Sequence, residues 1–317
     1  MADAGGWSLA ARQALQAGRS LVLVTVVRSA GSAPRGGGAK LWVLDAEVLG
    51  TIGGGHLEFK AIDLARDLLA DATKPARHIE RYALGPSLGQ CCGGVVWLGF
   101  ERLGPDDLPW FDSVADHLHK GQSVRRIVSF TDLAAPVSLQ LSPDPAQDFD
   151  TDQAHWDADS GRLTDVLSAA TLTVVVCGAG HVGRAIINIL GTLPVKVIWL
   201  DPRDDVWPAH LPANVTALQG DDADVPDCPD NACWLVLTHS HALDMALVQA
   251  VMAQKTFRFL GLIGSATKKA RFESRLRQRF SEALVAQMTC PIGLVKTNSK
   301  LPEVIAVSVV AQLLSLT

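Results

Sequence analysis

Two adjacent thiols, Cys91 and Cys92, stand between Gln90 and the pair Gly93-Gly94. Neighbouring thiols suit sulfur chemistry or a soft metal better than tetrahedral zinc, which takes spaced CxxC pairs that this chain lacks. Two further glycine-rich stretches carry polar groups. Arg35 precedes Gly36–Gly38, and His56 and Glu58 follow Gly53–Gly55, so that Gly54 and Gly55 adjoin the histidine. Glycine lets backbone amides come close to an anion, and a guanidinium such as Arg35 can fork onto a phosphate. The same stretches also suit plain turns, with one cysteine as a small buried hydrophobe.

The second half carries a different pattern. Gly178-Ala179-Gly180-His181-Val182-Gly183 follows the apolar run Val174–Cys177 and opens a helical stretch, and an acid, Asp201, closes the next apolar run. This order predicts a Rossmann-type unit: Gly178 for the tight turn, Gly180 for the approach of a phosphate, and Gly183 for close packing of helix on sheet. The helix start offers free N–H groups and a positive dipole end. His181 lies inside the fingerprint, where it would crowd a pyrophosphate or contact it. Asp201 would accept bonds from a ribose diol, whereas Arg203 favours a phosphate, and the sequence does not choose between them.

Further polar loops fall where later strands should end: Gly220-Asp221, Thr238-His239-Ser240-His241, and Gly264-Ser265 with Lys268 and Lys269 beyond. Convergence of these loops at the carboxyl edge of a parallel sheet points to a ligand cleft that includes His239 and Ser265. Ser240 and Ser265 equally fit the N-cap of the helix that follows each. His239, His241 and Asp244 do not amount to a metal-ligand set.

The elements that must position these groups are legible from periodicity. Residues 7–17 and 108–119 read as helices, and Leu57–Ala70 as an amphipathic helix with Ala61, Leu64, Ala65, Leu68 and Leu69 on one face. Leu21–Val27, Ala39–Leu44, Val48–Ile52, Ile79–Leu84, Val95–Phe100, Val124–Phe130 and Pro136–Leu141 read as strands. From Leu172 onward strands and helices alternate. The expected fold is therefore α/β: a C-terminal Rossmann-like doubly wound parallel sheet over residues 171–317, and an N-terminal α+β domain over residues 1–142. Ser142–Gly161 is rich in aspartate and poor in aliphatic side chains, and residues 143–170 are expected to form an acidic linker or crossover.

Composition narrows the function classes. The chain has 317 residues, 48% of them hydrophobic, and a formal net charge of −5 without basic runs, which argues against nucleic acid as a partner. It contains no apolar run long enough for a membrane span, and Met1–Gly6 is unlike a signal peptide. Six cysteines without paired spacing suggest reduced thiols in the cytoplasm.

Taken in order, Gly31-Ser32-Ala33-Pro34-Arg35, Gly53–Glu58, Gln90–Gly94, Gly178–Gly183, Thr238–Asp244, Gly261–Ser265 and Pro291-Ile292-Gly293 resemble the xanthine dehydrogenase accessory proteins, the XdhC/CoxI family. The resemblance spans nearly the whole chain. It implies a chaperone that binds molybdenum cofactor (molybdopterin), protects it while its terminal sulfur is installed, and hands it to the molybdenum subunit of xanthine dehydrogenase or a related hydroxylase. The implied partners are that enzyme, a cysteine desulfurase, a cofactor-supplying protein and a second copy of the chain in a homodimer. Such a protein need not be a catalyst, so no catalytic residue is expected. Cys91 and Cys92 are then the candidate metal ligands, and a nucleotide such as NAD(P) is a further candidate for the Rossmann half. After Pro291-Ile292-Gly293 the chain departs from the family pattern at Leu294–Lys300. Two other readings compete: an NAD(P)-dependent oxidoreductase using His239 or His241 near the nicotinamide, and an interaction scaffold whose cysteines and glycines are structural.

Overall fold

The computed structural model describes residues 7–45, 47–85, 93–142, 153–168, 172–295 and 299–316. The chain divides into two compact units, residues 1–171 and 172–317.

Unit 1 begins with helix α1 (Trp7–Gln16) and strands β1 (Leu21–Ala30), β2 (Lys40–Val43) and β3 (Val48–Gly50). Helix α2 (Gly55–Ala70) follows, then β4 (Arg77–Ala83), β5 (Val95–Leu103) and α3 (Leu108–His119). These strands form an antiparallel sheet in the order β3-β2-β1-β5-β4. Residues 21–27 of β1 are apolar apart from Thr25, because both faces of that part of the strand are buried. Val22, Val24 and Val26 pack with Leu57, Ala61, Ala65 and Leu68 of α2. Leu21 and Leu23 meet Ala11, Ala14 and Leu15 of α1 and Phe111 of α3.

A second antiparallel sheet contains β6 (Val124–Ser129), β7 (Ser138–Leu141), β8 (Gln153–Asp157) and β9 (Arg162–Leu167), in the order β7-β6-β9-β8. The expected pairing of the segments now named β6 and β7 is present. Residues 153–167, expected within an acidic linker, instead form a hairpin of this sheet, with β9 paired to β6. The reason is local. Leu163, Asp165 and Leu167 alternate inward, and Asp157 accepts bonds from the Asp159 amide (3.0 Å) and the Ser160 hydroxyl (2.6 Å), which makes part of the acidic stretch a tight turn. Residues 143–152 lie outside the described residues.

Three buried charges and the partly buried Lys40 tie the two sheets of this unit together. The Arg126 guanidinium donates to both oxygens of Glu101 at 3.0 and 2.9 Å, and its Nε donates to Asp165 at 3.0 Å. Lys40 pairs with the other Asp165 oxygen at 2.9 Å. Two cations face two carboxylates, so burial leaves no net charge unpaired.

Unit 2 contains β10 (Thr173–Cys177), α4 (His181–Leu190), β11 (Lys196–Asp201), β12 (Val215–Gln219), β13 (Ala232–Val236), α5 (His241–Gln254), β14 (Phe257–Leu262), α6 (Ala266–Leu276), α7 (Glu282–Val285), β15 (Met288–Thr289) and α8 (Pro302–Leu314). Its sheet is parallel throughout and ordered β12-β11-β10-β13-β14-β15. Numbered from the start of the unit, that is the Rossmann order 3-2-1-4-5-6, with the switch point between β10 and β13. The expected α+β and Rossmann-like parts are both present. The short elements α7 and β15 were not foreseen, since four and two residues carry no readable period.

Candidate functional site

Strand alternation brings the glycine-rich loops of unit 1 to one end of its first sheet. β1, β3 and β4 run toward that end, while β2 and β5 leave it. The loops at 31–39 and 51–54 therefore gather there, together with residues 84–85 and 93–94, which flank the third glycine-rich stretch. Their contacts are close. The Gly94 amide donates to the Ser32 carbonyl at 3.2 Å, and the Leu84 amide donates to the Gly94 carbonyl at 2.8 Å. A methyl on Gly94 would lie 2.4 Å from the Ser32 oxygen, and one on Gly53 would lie 2.3 Å from Cβ of Pro34. These two glycines are required for loop-on-loop packing. Gly36, Gly54 and Gly93 differ: a methyl there would meet nothing within 4 Å. Open backbone of that kind leaves room for a ligand to approach.

The side chains expected at this site divide. Glu58 uses Oε2 to accept from the Thr51 hydroxyl (2.6 Å), the Ile52 amide (2.9 Å) and the Gly54 amide (3.1 Å). It thereby braces the loop and already places a carboxylate at the N-terminus of α2. Its role here is positioning. His56 is exposed on the first turn of α2, with Gly54 as N-cap and Gly55 at the helix start, and its ring stacks on exposed Phe59 at 6.4 Å. Arg35 is half-buried, directly after Pro34. Cys91 and Cys92 lie outside the described residues, although Gly94, two positions after Cys92, is anchored as above.

Sequence reasoning missed two cations at this end of the sheet. Arg28 and Arg81, on strands either side of β5, both lie over the Trp97 ring, at 5.0 and 5.7 Å from its centroid. Both are exposed. Only the strand register, which sets Trp97 opposite both arginines, unites residues so distant in the chain.

In unit 2 the fingerprint takes its expected geometry. Gly178 has φ 124°, and a methyl on Gly183 would lie 2.1 Å from the Gly178 oxygen, so the first turn of α4 sits directly on the strand end. A methyl on Gly180 would meet nothing within 4 Å, and α4 has no side-chain cap. The buried Trp199 indole donates to the Gly178 carbonyl at 3.1 Å. His181 and His239 are exposed at the carboxyl edge of the sheet. Ser240 and Ser265 accept from the Leu243 and Lys268 amides, as N-caps of α5 and α6. Asp244 is buried. It accepts from the amide and hydroxyl of Thr238 at 3.0 and 2.7 Å and pairs with Lys268 at 2.6 Å, locking two adjacent loops.

Asp201 departs from the role of a ribose acceptor. It accepts from the Ala179 amide at 2.7 Å and from Arg203 through its backbone amide, Nε and Nη2, at 3.1, 2.8 and 2.9 Å. Burial would push its pKa up, but the bonds from Arg203 and the Ala179 amide outweigh it and hold the carboxyl below the usual range. Burial pushes the Cys177 thiol far upward, which leaves it an inert part of the core. Among the described residues, no three His, Cys, Asp or Glu side chains are grouped to hold a metal ion.

The fold and loops define a two-unit protein: a glycine-loop α+β domain and a Rossmann domain. Comparison with known proteins gives the family. A model described as "XdhC Rossmann domain" matches residues 174–313, and one described as "XdhC and CoxI family" matches residues 14–83. The chain belongs to the XdhC and CoxI family, as the ordered motifs indicated. Its association with molybdenum cofactor handling is that of the family. It is 25% identical to a probable xanthine dehydrogenase subunit of Bacillus subtilis (strain 168), over 92% of each chain. It is also 25% identical to an uncharacterized protein of Escherichia coli (strain K12), of which it spans 42%. A crystal structure described as a xanthine dehydrogenase from Bacillus halodurans shares the fold, with a TM-score of 0.71 at 19% identity over 98% of this chain and 95% of that one.

Proposed function

We propose that this chain is a cytoplasmic chaperone of molybdenum cofactor, which holds and protects the cofactor, supports its sulfuration and passes it to xanthine dehydrogenase or a related molybdenum hydroxylase. In this reading it is an accessory protein, and a cysteine desulfurase and a cofactor-supplying protein are its other partners. The observation that carries the reading is the close packing at one end of the first sheet of two glycine-rich loops with Gly94, the residue that in the sequence follows Cys91-Cys92-Gly93.

The residues present fit an anionic ligand with soft sulfur donors. The open backbone at Gly36, Gly54 and Gly93 is space that a methyl would occupy. Arg28 and Arg81 supply cations at the same end of the sheet, and half-buried Arg35 is on the loop itself. Glu58 is the exception, since its charge at Gly54 disfavours a second anion against that amide. The phosphate of the ligand is therefore assigned to the arginines. The cofactor supplies a molybdenum centre able to exchange its ligands. One thiolate of Cys91 or Cys92 would hold that centre by a bond that substitution can break, as delivery requires. The four described free cysteines, Cys177, Cys228, Cys233 and Cys290, are all buried, which leaves the pair in the glycine loop as the natural exchangeable thiols.

The experiment is equilibrium binding of molybdenum cofactor to the reduced full-length chain under anaerobic conditions, followed by transfer to a cofactor-free hydroxylase. Retention followed by transfer supports the reading, and absence of binding refutes it.

A further inference from the structure

The sequence leaves open whether the Rossmann cleft meets a ribose diol through Asp201 or a phosphate through Arg203. The geometry distinguishes them. Asp201 is 1% exposed and accepts four hydrogen bonds from within the protein, one from Ala179 and three from Arg203. An ionised carboxylate offers about four lone-pair directions, so a ribose hydroxyl could bind here only by displacing a bond already made. One of those bonds, from the Ala179 amide, fixes the glycine turn itself. The acid at the end of β11 thus faces inward and acts as a brace.

Arg203 faces the other way. Its side chain is 43% exposed, and the pair with Asp201 engages Nε and Nη2. The Nη1 edge is not part of that pair. The carboxylate fixes the guanidinium plane, and the same carboxylate holds the Ala179 amide, so the cation is oriented beside the glycine turn. Arg184, on the first turns of α4, reaches the same loop by donating to the Val206 carbonyl at 2.8 Å. The acid acting on Arg203 from its own turn is Asp205, with no hydrogen bond between the two. At the position where a dinucleotide presents the edge of its ribose, the protein therefore shows a held cation, while the carboxylate is buried behind it. The open space at Gly180 before α4 remains available for a pyrophosphate.

We propose that the Rossmann cleft binds a nucleotide that carries a phosphate on its ribose in addition to its pyrophosphate, the NADP class and not the NAD class, with Arg203 as the discriminating residue. This goes beyond the cofactor handling assigned to unit 1 and does not rest on it: either can fail with the other intact.

The test is calorimetric titration of the full chain with NADP+, NAD+, 2′,5′-ADP and 5′-AMP. NADP+ should bind about tenfold or more tightly than NAD+, as one charge-assisted contact provides, and 2′,5′-ADP should exceed 5′-AMP in the same sense. Arg203→Ala should bring the NADP+ to NAD+ ratio close to one, and Arg203→Lys should restore part of it. Gly180→Val should remove binding of both dinucleotides, since its branched side chain enters the open space. Equal or tighter binding of NAD+ by the unaltered protein overturns the proposal, as does a ratio that Arg203→Ala leaves unchanged, or failure of both dinucleotides to bind. The first and last of these results need no variant, so a misfolded substitution does not protect the idea.

Discussion

The Gly94 amide donates to the Ser32 carbonyl at 3.2 Å, and through this bond the loop that carries Cys91-Cys92 is fastened to the loop that carries Arg35. The methyl that any other residue would add at Gly94 falls 2.4 Å from the same oxygen. Gly93, its neighbour, faces open space. Two adjacent glycines thus do different things: one joins loops, and the other leaves room.

That difference is measurable by substitution. Gly94→Ala should destabilise unit 1 by about 1–3 kcal/mol, as overpacking does, whereas Gly93→Ala should stay within about 0.5 kcal/mol. Thermal unfolding followed by circular dichroism compares them. Equal stability of the two variants would mean that the loops are not packed as described.

Much of this arrangement was legible in the sequence, and the limits have physical causes. Long periodic elements such as α2, and the β-branched runs of β1 and β10, announce themselves because one face or both must be buried. The Rossmann order follows from the glycine fingerprint and the alternation after it. The hairpin β8–β9 was hidden because its turn is built from aspartate, the residue that also marks solvated linkers. The inward brace formed by Asp201 could not be read, because the same acid at the same spacing serves a ribose in other chains, and the choice depends on where the Arg203 side chain turns. The Arg28–Trp97–Arg81 stack has no sequence signal apart from pairing register.

The buried charge cluster gives a prediction with a pH dependence. Arg126→Met would leave Glu101 and Asp165 buried without their guanidinium and should cost about 3–5 kcal/mol. Burial pushes the Asp165 pKa up, but Arg126 and Lys40 overcome it and hold the value below that of a free carboxyl. A folded-state pKa depressed in this way stabilises fully above the unfolded value of about 3.9 and is lost as pH falls through the folded one. Asp165→Asn should therefore remove part of the stability seen at neutral pH and flatten its decline in acid. Chemical unfolding of both proteins across acid and neutral pH provides the check, and parallel curves would contradict the assignment.

A homodimer is the proposed assembly, and α8 offers the face for it. Leu301, Val304 and Val307 are exposed, and between Leu301 and Leu316 only Glu303 is charged, so two copies can meet about a two-fold axis without opposing rows of like charge. Sedimentation equilibrium at micromolar concentration should give a dimer mass, and Val307→Glu should shift it toward the monomer. A monomer for the unaltered chain would rule the dimer out.

The central claim is that the glycine loops and the adjacent thiols hold molybdenum cofactor exchangeably. Its most direct measurement is the molybdenum and pterin retained per chain after the reduced protein is mixed anaerobically with the cofactor and separated from the excess. The unaltered chain should retain both at close to stoichiometric amounts, lose them on thiol oxidation and regain them with reductant. Cys91→Ala or Cys92→Ala should lower retention while thermal unfolding stays near that of the unaltered protein. No retention by the unaltered chain would contradict the account, and unchanged retention by both cysteine variants would contradict the thiol bond at its centre.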